Sequence, residues 1–144
     1  MELNLVATGI ELIGTTIKSI NIENSIVDVE RDAKRNFGLN INEPHFELLE
    51  KEYFSQMLID FEIEIEQCEE QRCKIQLSLE GAFVSEQDID EETFKQLVII
   101  NGAAAIIGIA RGKIESISSS IFNNGKVVIP FVNVVDYYKS MLEC

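Results

Sequence analysis

The chain has 144 residues, 46% of them apolar, with 25 acidic and 12 basic side chains, one histidine, three cysteines and no tryptophan. A chain of this length should bury about 68–70% of the surface it exposes when unfolded, so a single domain over residues 1–144 can hold a core without metal or disulfides. The formal charge of −13 disfavours nucleic acid and anionic membrane surfaces, which are bound through clustered Lys and Arg, and leaves basic or apolar partners.

Residues 1–4 lack the basic region and apolar stretch of a signal peptide, which predicts a cytoplasmic protein. Strands are then announced by period-two alternation. Ile20-Asn21-Ile22-Glu23 alternates, and Val27-Asp28-Val29-Glu30 continues the pattern beyond a break at Asn24-Ser25. A further extended segment runs through Phe37, Leu39 and Ile41 and resumes as Phe46 and Leu48 after Pro44. Phe61-Glu62-Ile63-Glu64-Ile65-Glu66 is strictly apolar then acidic, and Ile75-Gln76-Leu77-Ser78-Leu79-Glu80 repeats it. The short stretch between Cys68 and Cys73 predicts that these last two are antiparallel neighbours, with both cysteines near the hairpin and reduced. Four strands are expected, each with one wet face.

Residues 85–92 are acidic and turn-like, and their carboxylates suit the positive end of a following helix. Within that helix Ile107, Ala110, Ile114, Ile117 and Ile121 share one face, while Asn101 and Gly102 mark a bend or interruption. The run over residues 97–110 is apolar on all sides but falls short of the roughly 18–20 residues that span a bilayer. It offers more apolar surface than one side of a small sheet can cover. Self-association is therefore expected here, through Ile106, Ile107, Gly108 and Ile109. Asn123-Asn124-Gly125 ends the helix, with Gly125 available for a left-handed cap. Residues 127–135, containing Pro130, form an extended connection, and residues 134–142 a short final helix. The fold class is α+β: a four-stranded antiparallel sheet, a long helix packed on one of its faces, and a short C-terminal helix.

Catalytic constellations are hard to assemble, and no enzyme and no cofactor are expected. His45 is the only imidazole, so a structural zinc would need it and all three cysteines. The string from Gly108 to Lys113 is one residue short of a phosphate-binding loop and lacks the Ser or Thr after the lysine. No nucleophile elbow surrounds Ser116, Ser118, Ser119 or Ser120. Two surfaces remain. One is an acidic sheet face of Glu23, Glu62, Glu64, Glu66 and Glu80, suited to a basic partner. The other is a set of extended apolar and aromatic positions, Phe37, Leu39, Ile41, Phe46, Leu48, Tyr53 and Phe54, in excess of what one core holds.

Several local strings, in their order, resemble the SecB family of export chaperones. Lys18-Ser19-Ile20-Asn21-Ile22-Glu23 is similar to that family's early strand, and Leu79-Glu80-Gly81-Ala82-Phe83 to its Gly-x-Phe strand end. Ile109-Ala110-Arg111-Gly112-Lys113-Ile114 falls where the family has an aromatic, Ala, Arg and an apolar residue on its long helix. Ile129-Pro130-Phe131-Val132-Asn133-Val134 resembles its Pro-x-Asn segment before a closing helix. The resemblance covers nearly the whole chain. It implies a holdase without nucleotide or metal, a homo-oligomer assembled as a dimer of dimers through the long helices. It also implies unfolded polypeptide clients, preproteins for export among them, held in apolar grooves at Phe37, Leu39, Ile41, Phe46 and Leu48, with Tyr53 and Phe54 beside them.

There are departures. The family docks the export motor SecA on the acidic sheet face; Glu23 is retained there, whereas the matching positions are otherwise Ser19, Lys74 and Gln76, and the chain stops at Cys144 without the extended tail. A SecB-like chaperone of an antitoxin in a toxin-antitoxin system is the near alternative. An oligomeric adaptor with one folded partner, or a hotdog-type thioesterase, is a reading from another class, although the hotdog helix comes early and its strands follow.

Overall fold

Alternation decides the centre of the sheet. The computed structural model describes residues 9–68, 70–86 and 89–142; residues 1–4, part of the 85–92 turn and Cys144 lie outside the described residues. Five strands, β1 (Ile10–Asn24), β2 (Lys34–Ile41), β3 (His45–Leu48), β4 (Tyr53–Gln67) and β5 (Gln71–Ser85), form one antiparallel sheet. Its order is β1-β5-β4-β2, and β3 pairs with β4 beyond the end of β2, so the extended segment expected through Phe37, Leu39 and Ile41 and on to Phe46 and Leu48 is present as two strands. Met57, Ile59, Phe61, Ile63 and Ile65 of β4 and Cys73, Ile75, Leu77 and Leu79 of β5 all turn to one buried face. Fully burying one such side chain is worth about 1.5–3 kcal/mol, so this hairpin dominates the core.

A long helical run covers that face. It consists of α1 (Glu91–Leu97), one π-helical turn at Val98–Gly102 and α2 (Ala103–Ile121). Asp90 caps the run, its carboxylate accepting from the Thr93 N–H at 2.8 Å. Phe94, Val98, Ala103, Ile106, Ile107, Ala110 and Ile114 are buried against the sheet. Two glycines permit the close approach: a Cβ on Gly81 would lie 2.7 Å from the Ile106 side chain, and one on Gly102 would lie 3.0 Å from the Phe83 ring. The expected interruption at Asn101 and Gly102 is the π-helical turn itself. The run Glu91–Ile121 has 31 residues and is long and apolar enough, by length and composition, to cross a membrane. The core helix of a folded domain passes the same test, and this run packs its apolar side on the sheet, as expected for residues 97–110. A final helix, α3 (Val134–Leu142), matches the expected bounds.

Other expectations change. Val27-Asp28-Val29-Glu30 is not a strand; Asp28 makes only an isolated bridge to Asn124, and Val27 O and Val29 N–H bond with the backbone of Asn123 and Asn124. Of its two apolar residues only Val29 packs, half-buried over the end of the core beside buried Ile26, while Val27 is 64% exposed. The helix does not end in a left-handed glycine cap, since Phe122 is extended (φ −95°). Gly125 does adopt φ +112°, but three residues later, where a Cβ would lie 2.8 Å from that of Val29. Cys68 sits exposed at the hairpin tip with φ +44°, while Cys73 pairs with Ile65 on the buried face; both are free thiols.

Candidate functional site

β2 is an edge strand, and this fact creates the first candidate site. Phe37, Leu39 and Ile41 lie opposite Ile63, Phe61 and Ile59 of β4 and so point to the helix side of the sheet. Residues 127–130 run past them without joining the sheet, because Pro130 has no N–H to donate and α2 holds the segment through side chains. Ser118 Oγ accepts from the Val127 N–H at 2.7 Å, and the Arg111 guanidinium donates to Ile129 O at 3.1 Å and to Pro130 O at 3.3 Å. The same guanidinium lies 4.4 Å from the centre of the Phe131 ring, which is 91% exposed. A cavity of about 250 Å³ opens between β2 and this segment, lined by Phe37, Ile63, Ile65, Ile129 and Pro130, with Arg35 at its rim.

At the other end of the same edge, β3 places Phe46 edge-on to buried Phe94 at 6.1 Å, and Tyr53 lies 5.5 Å from that ring. Lys95 Nζ stands 5.6 Å over the Phe46 ring. Of the residues expected in a client groove, Phe37, Leu39, Phe46 and Tyr53 are half-buried on this side, and Leu48 is 44% exposed. Ile41 is buried and donates its N–H to the Tyr137 hydroxyl of α3 at 3.0 Å, so it closes the groove instead of lining it. Phe54 must be corrected: it pairs with Val84 and lies one residue out of phase with Tyr53 and Ser55, on the opposite face of the sheet. Sequence reading missed residues 127–130, Arg35, Arg111 and Tyr137. The proline within an apolar stretch was the available signal for the first.

The outer sheet face carries the expected carboxylates, interleaved with cations. Lys74 Nζ lies 3.1 Å from Glu62 and 3.8 Å from Glu64, and Lys74 pairs with Glu23 across β1. The hydrogen bond to Glu62 and its charge, with the charges of Glu64 and Glu23, push the Lys74 pKa up. Lys18 stands 3.7 Å from Glu80, and Glu66 pairs with Arg72 on one side and Lys34 on the other. The face is therefore a mixed-charge surface. At its centre Asp60 accepts from Ser78 Oγ at 2.6 Å, Asn42 Nδ2 at 2.9 Å and Asn40 Nδ2 at 3.4 Å. Burial alone would raise its pKa; these three hydrogen bonds outweigh burial and hold the carboxyl below its ordinary value.

The long helix supplies a third surface. Ile106 and Ile107, expected at a subunit interface, are buried in the chain's own core, because they continue the face formed by Ala110 and Ile114. Exposed instead are Ala104, Ala105, Gly108, Gly112 and Ser116, with Ile109 half-buried at their margin. A Cβ on Gly108 or Gly112 would meet nothing within 4 Å. A shallow groove between this stripe and Ile17 of β1 completes the surface.

No protein-family model and no curated protein matches the chain. Among solved structures, the fold is similar to that of the Mycobacterium tuberculosis Rv1957 SecB-like chaperone, solved in complex with a ChAD peptide from the Rv1956 HigA1 antitoxin. The TM-score is 0.59 at 9% sequence identity, over 85% of this chain and 90% of that one. A likeness at that identity is one of fold: the sheet, the long helix and the short C-terminal helix form a SecB-like α+β architecture.

Proposed function

We propose that this protein is an ATP-independent, non-enzymatic cytoplasmic chaperone that holds unfolded polypeptide segments in the groove beside β2. The observation that carries the reading is the groove itself: half-buried Phe37 and Leu39 on a strand edge unpaired among the described residues, with Phe37 lining an apolar cavity of about 250 Å³. Apolar contacts of this kind are non-directional and tolerate varied sequences. The fold's likeness to a SecB-like chaperone solved in complex with a peptide supports the same reading. Because that peptide comes from an antitoxin, and because Lys74 and Lys18 interrupt the acidic face where an export motor would dock, a dedicated client is favoured over delivery to SecA. The working form is a homo-oligomer, a dimer of dimers in this reading, joined through the small-residue face of α2 and the β1 edge.

The test is suppression of light scattering by reduced, unfolded clients without nucleotide. Stoichiometric protein should delay aggregation of several unrelated clients; no delay for any of them would reject the proposal. Cell proteins captured on the purified oligomer would then separate an antitoxin client from exported preproteins.

A further inference from the structure

The groove beside β2 presents directional groups as well as apolar surface. Asn42 donates its N–H to Leu58 O across the β2–β4 pair, while the Ile41 N–H turns the other way, to Tyr137. Alternation along an antiparallel strand then aims the N–H and C=O groups of Arg35, Phe37 and Leu39 at the free edge. The side chains of these three residues share the helix side of the sheet, and Arg35 and Phe37 both line the cavity. Among the described residues, Arg35 is the one charged side chain in that cavity's lining. Its guanidinium donates to Ala33 O at 3.1 Å and to Glu30 O at 3.5 Å, which among the described residues leaves further N–H groups of its fork to spare. Among the described residues it forms no ion pair. The Glu30 carboxylate is turned to the hairpin tip, where it accepts from Cys68 at 3.2 Å. Glu62, Glu64 and Glu66 alternate to the opposite face of the sheet.

We propose that the occupant of this groove is an extended segment that pairs with the β2 edge over residues 35–39, sets an apolar side chain in the cavity and places a carboxylate against Arg35. The inference rests on the polypeptide-binding reading and narrows it to one client chemistry. An unpaired strand edge is a template for an added strand, and the main-chain bonds supply affinity while alternate side chains supply selection. Paired strands share one repeat, so groups two residues apart on the client fall opposite groups two residues apart on β2. Arg35 and Phe37 have that separation. The selected signature is therefore an aliphatic residue with Asp or Glu two positions away. Such selection runs against the protein's own charge of −13, which at long range favours basic chains.

The experiment uses fluorescein-labelled peptides in which a leucine is followed, two residues on, by glutamate, serine or lysine, with binding to the intact protein read by anisotropy. The glutamate peptide should bind about fivefold more tightly than the serine peptide, a modest gain because the guanidinium is exposed to water, and the lysine peptide should be weakest. Arg35→Gln should level the three, and Arg35→Glu should invert their order. N-methylation of the amides that face β2 should weaken the glutamate peptide about tenfold, since each register position carries several main-chain bonds, whereas methylation one residue out of register should not. Equal affinities for the three peptides, or equal losses in both methylation registers, would overturn the inference while leaving aggregation suppression intact. Failure of every peptide to bind would overturn it together with the polypeptide-binding reading.

Discussion

Among the described residues the sheet has two open edges, and they differ in what surrounds the same unpaired backbone. β1 is 15 residues long, carries irregularities at Ile13 and Lys18, and leaves Ile17, Ile20 and Ile22 exposed on the helix side, next to the glycine stripe of α2. β2 is 8 residues long, has a cavity at one end and is closed at the other by Tyr137. A long apolar edge beside a smooth helix face suits a second folded copy, which can lay matching surfaces against both. A short edge beside a cavity suits one extended segment. Edge strands invite pairing in general; the neighbouring side chains choose the partner.

The strongest perturbation should remove the contrast altogether. Ile106→Ala opens a hole between the helix and Gly81, beneath both edges, and should cost about 2–5 kcal/mol, read from the denaturant midpoint. A loss under about 1 kcal/mol would mean the sheet and helix collapse together more readily than their packing implies. Gly108→Glu should act on the β1 side alone. Its new side chain enters open space in the single chain, so the circular dichroism of the native fold should persist while the mass by light scattering falls; an unchanged mass would argue against α2 as a subunit interface. Phe37→Ser should act on the β2 side alone, lowering client protection severalfold at constant mass. Loss of mass along with protection would show that the two edges are not independent.

The smallest effect is a pH dependence. Asp60 ties β2 to β5 through Asn40, Asn42 and Ser78, and its carboxyl is held below the ordinary value. Its contribution is therefore complete above the unfolded-state pKa of about 3.9 and is lost as the pH falls through the lower folded-state value. Asp60→Asn should remove that part of the acid sensitivity, and hydrogen exchange should quicken at β2 but not at β1. Equal quickening at both edges would deny Asp60 its local role.

The alternation of β4 and β5, the bounds of α3 and the interruption at Asn101 were legible because each rests on a local rule of periodicity or helix propensity. Only the end of β1 was legible. Its inward side chains run Ile10 and Leu12, then Thr15 and Ile17, then Ile20 and Ile22, and the register shifts between these pairs destroy a period-two signal. Val27 to Glu30 shows the reverse failure, a perfect alternation without a partner strand. In the site, Phe54 was misplaced although counting back by twos from buried Phe61 reaches Tyr53, not Phe54. Ile106 and Ile107 were assigned to an interface because an all-apolar helix hides which side meets the sheet. The cavity at residues 127–130 depends on Arg111 and Ser118 meeting a segment distant in sequence, and no local rule anticipates that.

The π-helical turn at Val98–Gly102 has a consequence for how this gene could lengthen or shorten. Phe94 and Val98 before it and Ala103, Ile106 and Ala110 after it all meet the sheet, so the wide turn acts as a phase adjuster between two stretches of helix. Removing a single codon there would let the helix wind regularly and leave everything downstream in phase, because a π-helical turn holds about one residue more than an α-helical one, whereas a deletion within α2 would rotate everything beyond it by about 100°. After a deletion at Ala104 or Ala105, Ile106 and Ala110 would swing toward water, and the glycine stripe toward the sheet. A one-residue deletion in α2 should thus do more damage than the same deletion at the π-helical turn or in the loop around Leu49 to Glu52.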